Sequence, residues 1–212
     1  MRPKQSFNLI MSFVTIITVL SFSKMAFADT GLFKSAVDYP TGLGSYSLKI
    51  VDLNYDGKQD LVTSNYGHNS GNGAGNTISV LLGKGDGTFA SNVEHLVGDS
   101  PMDVQVADLN ADGDPDVVSV NYAANTISVL LGKGKATFRA KMDYPVNANP
   151  VSAAIADINR DGYLDLVVAN YSSSNVSILI GKGDGTFKTK RDVPTDYTPR
   201  DVKIGDLNGV GA

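Results

Sequence analysis

Aspartates 52, 108, 157 and 206 each open the same short phrase, at intervals of 56, 49 and 49 residues. A period of that size marks a repeat architecture, in which one supersecondary unit is copied and stacked until its faces are buried. The phrase reads Asp-Leu-Asn-Tyr-Asp-Gly-Lys-Gln-Asp at 52–60, Asp-Leu-Asn-Ala-Asp-Gly-Asp-Pro-Asp at 108–116 and Asp-Ile-Asn-Arg-Asp-Gly-Tyr-Leu-Asp at 157–165. A truncated copy runs from Asp206 and Asn208, with Val210 where the third ligand position falls.

Within each unit the elements keep one order. A short apolar run enters the phrase (Val104 to Ala107, Ala153 to Ala156, Val202 to Gly205), and a second leaves it (Asp60 to Thr63, Asp116 to Ser119, Asp165 to Val168). An Asn-Tyr pair follows at 65–66, 121–122 and 170–171, then a third run at Ile78 to Leu82, Ile127 to Leu131 and Val176 to Ile180. A glycine turn ending in Phe89, Phe138 or Phe187 comes next, and a looser fourth strand is expected up to Ser45, Pro101, Pro150 and Pro199. The middle copy has Lys135-Ala136 where the other turns have Asp-Gly, so its turn geometry should differ. Four short strands per unit, with no helical period, describe an antiparallel blade. The second and third runs are almost continuously apolar, which predicts strands covered on both faces, as stacked blades require. The extra length of the first unit lies in a Gly/Asn-rich loop around 67–75; loop insertions of this kind are cheap, and loops are where recognition concentrates.

The phrase itself points to a hard cation. Oxygen side chains at positions 1, 3, 5 and 9 can converge on one point, glycine at 6 permits the sharp turn, and the Tyr163 carbonyl at position 7 can add a ligand. Ca2+ takes six to eight such oxygens. The EF-hand is excluded, because position 12 is Thr63, Ser119 or Val168 instead of Glu and β-branched strands replace the flanking helices. A metal-free Asx turn is the competing reading. Three carboxylates held together repel one another, however, unless a cation or protons neutralise them. The 22 acidic residues outnumber 18 basic ones, and nine of the acids are the loop aspartates. The acidity is thus local to the loops, and nothing basic and aromatic suggests nucleic acid.

At the N-terminus, Arg2 and Lys4 precede an apolar run from Leu9 to Phe22, and Ala26-Phe27-Ala28 follows. This is the layout of a secretory signal peptide over 1–28, with cleavage before Asp29. The expected location is secreted, extracellular or cell-surface, with no membrane span after cleavage. The mature part, 29–212, has no cysteine for disulfides or thiolate metal sites.

The D-x-N-x-D-G-x-x-D phrases and the run Asn-Thr-Ile-Ser-Val-Leu-Leu-Gly-Lys-Gly-Asp-Gly-Thr-Phe at 76–89 resemble the FG-GAP/VCBS-type repeat family, which shares its blade with the integrin α-chain propeller. The resemblance covers essentially all of 29–212. It implies an all-β, partial β-propeller of four-stranded antiparallel blades, with three complete repeats and partial flanking blades. It also implies calcium ligands at Asp52, Asn54, Asp56 and Asp60 with the Lys58 carbonyl; at Asp108, Asn110, Asp112 and Asp116 with the Asp114 carbonyl; and at Asp157, Asn159, Asp161 and Asp165 with Tyr163. Such rings typically have seven blades. Three repeats leave strand edges and apolar faces open, so self-association is expected.

No catalytic constellation is visible. His68 and His95 have no triad or zinc-site spacing, and the Gly-Lys-Gly-Asp-Gly turns lack the Lys-Ser/Thr and following helix of a phosphate loop. Tyr66, Tyr122 and Tyr171 recur at one position, which favours blade packing over a row of sugar-stacking platforms. The expectation is a non-enzymatic, calcium-binding adhesion or ligand-binding module for an extracellular protein or glycan. The alternative is the non-catalytic propeller portion of a larger secreted enzyme.

Overall fold

Runs rich in Val, Ile and Ser bounded by Asx-Gly turns can satisfy their backbone only by pairing sideways, and they do so locally. A computed structural model describes residues 36–67 and 74–206. The expected signal peptide at 1–28, Phe33, His68 and the centre of its loop, and Asn208 and Val210 lie outside the described residues. The chain divides into two compact units, Met1–Pro40 and Thr41–Ala212. Of the first, residues 36–40 are described, and they form no strand or helix.

The second unit carries three four-stranded antiparallel sheets. The first joins β1 (Ser45–Val51), β2 (Asp60–Gly67), β3 (Ala74–Leu81) and β4 (Val93–Leu96) in that order. The second joins β5 (Pro101–Ala107), β6 (Asp116–Asn121), β7 (Thr126–Leu130) and β8 (Met142–Pro145). The third joins β9 (Pro150–Ala156), β10 (Asp165–Asn170), β11 (Asn175–Leu179) and β12 (Arg191–Pro194). No described residue is helical. Each sheet is an up-and-down meander, so each residue pairs with one close in sequence. The Asp phrase is the β1–β2, β5–β6 or β9–β10 connection, and the first strand of each sheet lies beside the first strand of the next.

Stacking explains the apolar runs. β6 and β10 are buried along their whole lengths, and β2 is buried except at Tyr66. Leu53, Val62, Ile78, Val80, Val104, Val117 and Leu130 fill the space between the first two sheets. Leu109, Val118, Val120, Ile127, Leu166, Val168 and Phe187 fill that between the second and third. Position 2 of the Asp phrase plugs each of the two layers, through Leu53 and Leu109, whereas Ile158 of the third phrase is exposed.

Three boundaries differ from the sequence reading. Ser45, Pro101 and Pro150 begin the first strands of the sheets and do not end the preceding ones, because a break in pairing at 97–100 and 146–149 isolates the short fourth strands. Residues 202–205 are not a strand, having no exit strand beside them among the described residues. The second glycine turn does take its own geometry. Lys135 and Ala136 both adopt φ of 54°, and the Gly134 carbonyl accepts from the Thr137 amide and hydroxyl. In the other two turns the Asp86 and Asp184 carboxylates accept from Thr88 and Thr186.

Candidate metal loops

The three Asp phrases fold alike, residue by residue. Position 1 anchors the loop: Asp52 accepts from the amides of Asn54, Asp56 and Gly57. Asp108 accepts from Asp112 and Gly113, and Asp157 from Asp161 and Gly162. Position 3 accepts from the same amide, that of position 5, through the oxygen of Asn54, Asn110 or Asn159 at 2.9, 3.0 and 2.9 Å. Position 5 in turn accepts from the amide of position 7, as Asp56 does from Lys58, Asp112 from Asp114 and Asp161 from Tyr163. Glycine at position 6 takes φ of 79°, 90° and 87°. Position 4 is also left-handed, at Tyr55, Ala111 and Arg160, with φ between 55° and 61°. Its residue types give no hint of this in the sequence.

Position 9 behaves differently. Asp60, Asp116 and Asp165 are sealed from solvent at 0% exposure. One oxygen of each accepts from the amide of position 2 in its own loop: Leu53, Leu109 or Ile158. The other accepts from the first glycine of the turn after the third strand: Gly83, Gly132 or Gly181. That glycine must be small, since a Cβ there would lie 2.1, 2.6 or 2.2 Å from the carbonyl oxygen of Gln59, Pro115 or Leu164. The position-9 aspartate therefore staples the loop to the far end of its own blade, a role the ligand spacing alone does not reveal.

The electrostatics follow from these bonds. Burial pushes the Asp116 carboxyl up, against the pull of the Gly132 and Leu109 amides. Desolvation works the same way on exposed Asp56, but the Lys58 amide and ammonium outweigh it and hold its carboxyl below the ordinary range. Tyr55 reaches across from the first loop to donate to the Gly113 carbonyl of the second. Desolvation, and then the charges of Asp114, Asp108 and Asp112, push its hydroxyl up.

Among the described residues, no group of three or more His, Cys, Asp or Glu side chains is arranged to hold a metal ion. The bonds show why: the third carboxylate of each loop is turned to the backbone, and an asparagine stands between the other two. The donor chemistry nevertheless suits a hard cation. Positions 1 and 3 aim oxygens at one shared amide, position 5 adds a carboxylate, and each position-9 oxygen that accepts one amide retains a second lone pair.

The other sequence candidates are structural in their surroundings. Tyr66 packs at a tilt against Tyr46 and edge-on to Tyr122, with ring centroids 5.7 and 6.3 Å apart. Tyr171 lies under the Arg200 guanidinium. His95 sits edge-on to Phe138 at 5.0 Å, where burial holds its imidazole below the usual range. One polar row was missed. Residues 47, 103, 152 and 201 occupy one repeat position and read Ser, Asp, Ser, Asp. Ser47 donates to Asp103 at 2.9 Å and Ser152 to Asp201 at 2.7 Å, so the row links neighbouring units through side chains. Aligning the repeats by their loop aspartates would have exposed it.

Comparison with curated proteins gives no match. Among solved structures, the chain is similar to BBS1N in complex with ARL6DN, in crystals soaked with mercury or with lead. The TM-score is 0.51 for both, with 17% and 18% identity, over 79% of this chain and 46% and 50% of those chains. The chain thus spans about half the length of these neighbours, and at that identity the likeness concerns the β-propeller-like fold alone. The family model for FG-GAP-like repeats matches three times, at residues 52–119, 108–168 and 157–211. Those matches begin on the loop aspartates and run through all three sheets, and the chain belongs to the FG-GAP-like repeat family.

Proposed function

We propose that this chain is a secreted, calcium-binding, non-enzymatic propeller module that holds a protein or glycan ligand at the cell surface or outside it. The observation that supports the reading most is the threefold recurrence of one oxygen-rich loop with its backbone bonds reproduced. Asp52, Asn54 and Asp56 with the Lys58 carbonyl and Asp60 would hold the first ion. The second would fall to Asp108, Asn110, Asp112, Asp116 and the Asp114 carbonyl, the third to Asp157, Asn159, Asp161, Asp165 and the Tyr163 carbonyl. When bound, calcium supplies the positive charge that offsets three carboxylates per loop. The residues themselves close the loop, fix its turn and tie it to the blade. BBS1N was crystallised in complex with ARL6DN, and we extend to this chain only the notion of a complex built on such blades. The alternative of a propeller attached to a secreted enzyme draws on no observation in these blades.

Thermal melts of residues 29–212 in EDTA and in millimolar Ca2+ test the reading. Binding to the folded state alone adds about 2.7 kcal/mol per site at a hundredfold excess over Kd. A clearly higher midpoint in calcium is expected, and identical midpoints would overturn it.

A further inference from the structure

The first strands β1 and β5, the start of β9 and the segment 200–203 enclose an open cleft of about 280 Å3 at the end of the sheets away from the Asp loops. That is near the lower bound of small-molecule sites, which run from about 300 to 1,000 Å3. Its walls are built by a device repeated in all three sheets. A residue with positive φ (Gly44, Ser100 or Asn149) precedes each first strand, and strand pairing slips just after it. Such bulges re-aim side chains, and here Tyr46 and Ser47, Met102 and Asp103, and Val151 and Ser152 line the cleft in consecutive pairs, with Arg200 and Asp201 on the segment opposite.

The charges in the cleft are not balanced. Asp103 is fully engaged, accepting from Ser47, Gln105 and the amides of Val104 and Ala153. Asp201 accepts from Ser152, Lys203 and the Val202 amide. Lys49, half-buried on the same wall, makes no ion pair among the described residues. With Arg200 and Lys203 it leaves a cationic cleft in a chain whose net charge is −4. At the mouth Tyr46, 61% exposed, presents a ring backed by Tyr66.

An unpaired ammonium, amide and hydroxyl groups, and an exposed aromatic ring suit a hydroxylated ring bearing a carboxylate, with the Arg200 guanidinium, seated over Tyr171, as further positive charge on the lining. We propose that this cleft binds an acidic saccharide, with the carboxylate of a uronic acid on Lys49 and its sugar ring against Tyr46. The inference rests on the ligand-binding reading above and names the ligand class and the place. The competing occupant is an acidic peptide laid along the unpaired edge of β1 or β5, and triglutamate in the test below stands for it.

Titration calorimetry of the calcium-loaded chain with trigalacturonate, neutral galactotriose and triglutamate decides it. Trigalacturonate should bind, at least tenfold more tightly than either of the others and more weakly as salt rises. Lys49→Gln and Tyr46→Ala should each weaken it about tenfold or more while leaving the melting midpoint in place. Equal binding of the neutral sugar, preference for triglutamate, no binding at all, or indifference to Lys49→Gln would overturn the proposal. The melts in EDTA and calcium on the same samples keep the two readings apart: a calcium-dependent midpoint without saccharide binding sinks only this one.

Discussion

Asp112 and Asp116 belong to one loop and are four residues apart, yet the first is exposed and the second is sealed at 0% exposure. Both accept backbone amides. Asp112 does so within the loop, capping Asp114 with one oxygen, while the other accepts from the Asn110 side-chain amide at 2.8 Å and makes a long contact with Arg139 at 4.0 Å. Asp116 reaches out of the loop and joins two segments, the loop start at Leu109 and the turn at Gly132. The same split holds between Asp56 and Asp60 and between Asp161 and Asp165. One residue type in one motif therefore caps the turn at its exposed end and closes the fold at its buried end. The difference lies in what desolvation permits: a buried carboxylate survives only when each of its oxygens has a partner.

The largest expected effect breaks the buried end. Asp116→Ala strips the Leu109 and Gly132 amides of their acceptor, and each buried unsatisfied donor costs about 1–3 kcal/mol. Because burial already disfavours the charged carboxyl, part of that loss is returned, and a net destabilisation of about 3 kcal/mol is expected. Urea unfolding should show this loss in EDTA and a larger one in calcium, where the variant also forfeits one site's increment, about 2.7 kcal/mol at a hundredfold excess over Kd. A loss confined to calcium would mean that the residue matters as a ligand and not as a staple.

Asp112→Ala should behave in the opposite way. Its side chain is a surface group, and such substitutions change stability by about 0.5 kcal/mol or less. In EDTA the variant should therefore melt with the parent. In calcium it should forfeit one site's increment, about 2.7 kcal/mol at a hundredfold excess over Kd. Equal melting of variant and parent in both buffers would remove Asp112 from the ligand set.

Glycines sharpen the contrast further, because the loop and its staple need them for different reasons. At Gly181 a Cβ would fall 2.2 Å from the Leu164 carbonyl, and such overpacking costs about 1–3 kcal/mol. At Gly162 nothing lies within 4 Å, but φ is 87°, and left-handed backbone costs a substituted residue about 1–2 kcal/mol. Gly181→Ala should thus be the more damaging of the two in chemical denaturation. A larger loss at Gly162 would place the tighter constraint in the exposed turn.

Much of this was legible from the chain alone. Apolar runs such as Val117–Val118 and Ile127–Ser128–Val129 announced strands covered on both faces, and the loop aspartates announced the period. What escaped was what depends on contacts distant in sequence. Nothing local to Asp116 says that its partner is Gly132, and nothing in Tyr55, Ala111 or Arg160 signals positive φ. Ser45, Pro101 and Pro150 read as ends of strands when the repeat is counted on from Phe33, Phe89 and Phe138. Pro at the first residue of a strand is equally compatible, since it need not donate there. The cationic cleft was invisible for a similar reason, as Lys49, Gln105 and Arg200 come together only when separate units are stacked.

The smallest effect concerns a third kind of aspartate, neither ligand nor staple. Asp86 and Asp184 cap their turns through the hydroxyl and amide of Thr88 and Thr186, and these bonds hold both carboxyls below their ordinary value of 3.8. A folded-state pKa below the unfolded one means that the cap contributes at every pH above the unfolded value. The contribution is then lost as pH falls through the folded value, so the window lies below 3.8. The second turn provides an internal control, because Thr137 is held by the Gly134 carbonyl and no carboxylate is involved. Amide exchange at Thr88 and Thr186, corrected for intrinsic rates, should therefore quicken on acidification across that window, while exchange at Thr137 stays level. Carboxyl NMR titration should place the midpoints of Asp86 and Asp184 below 3.8 in the folded chain. If all three threonines quicken together, the acid response comes from the blades as a whole, and the exposed aspartates have no separate part in it.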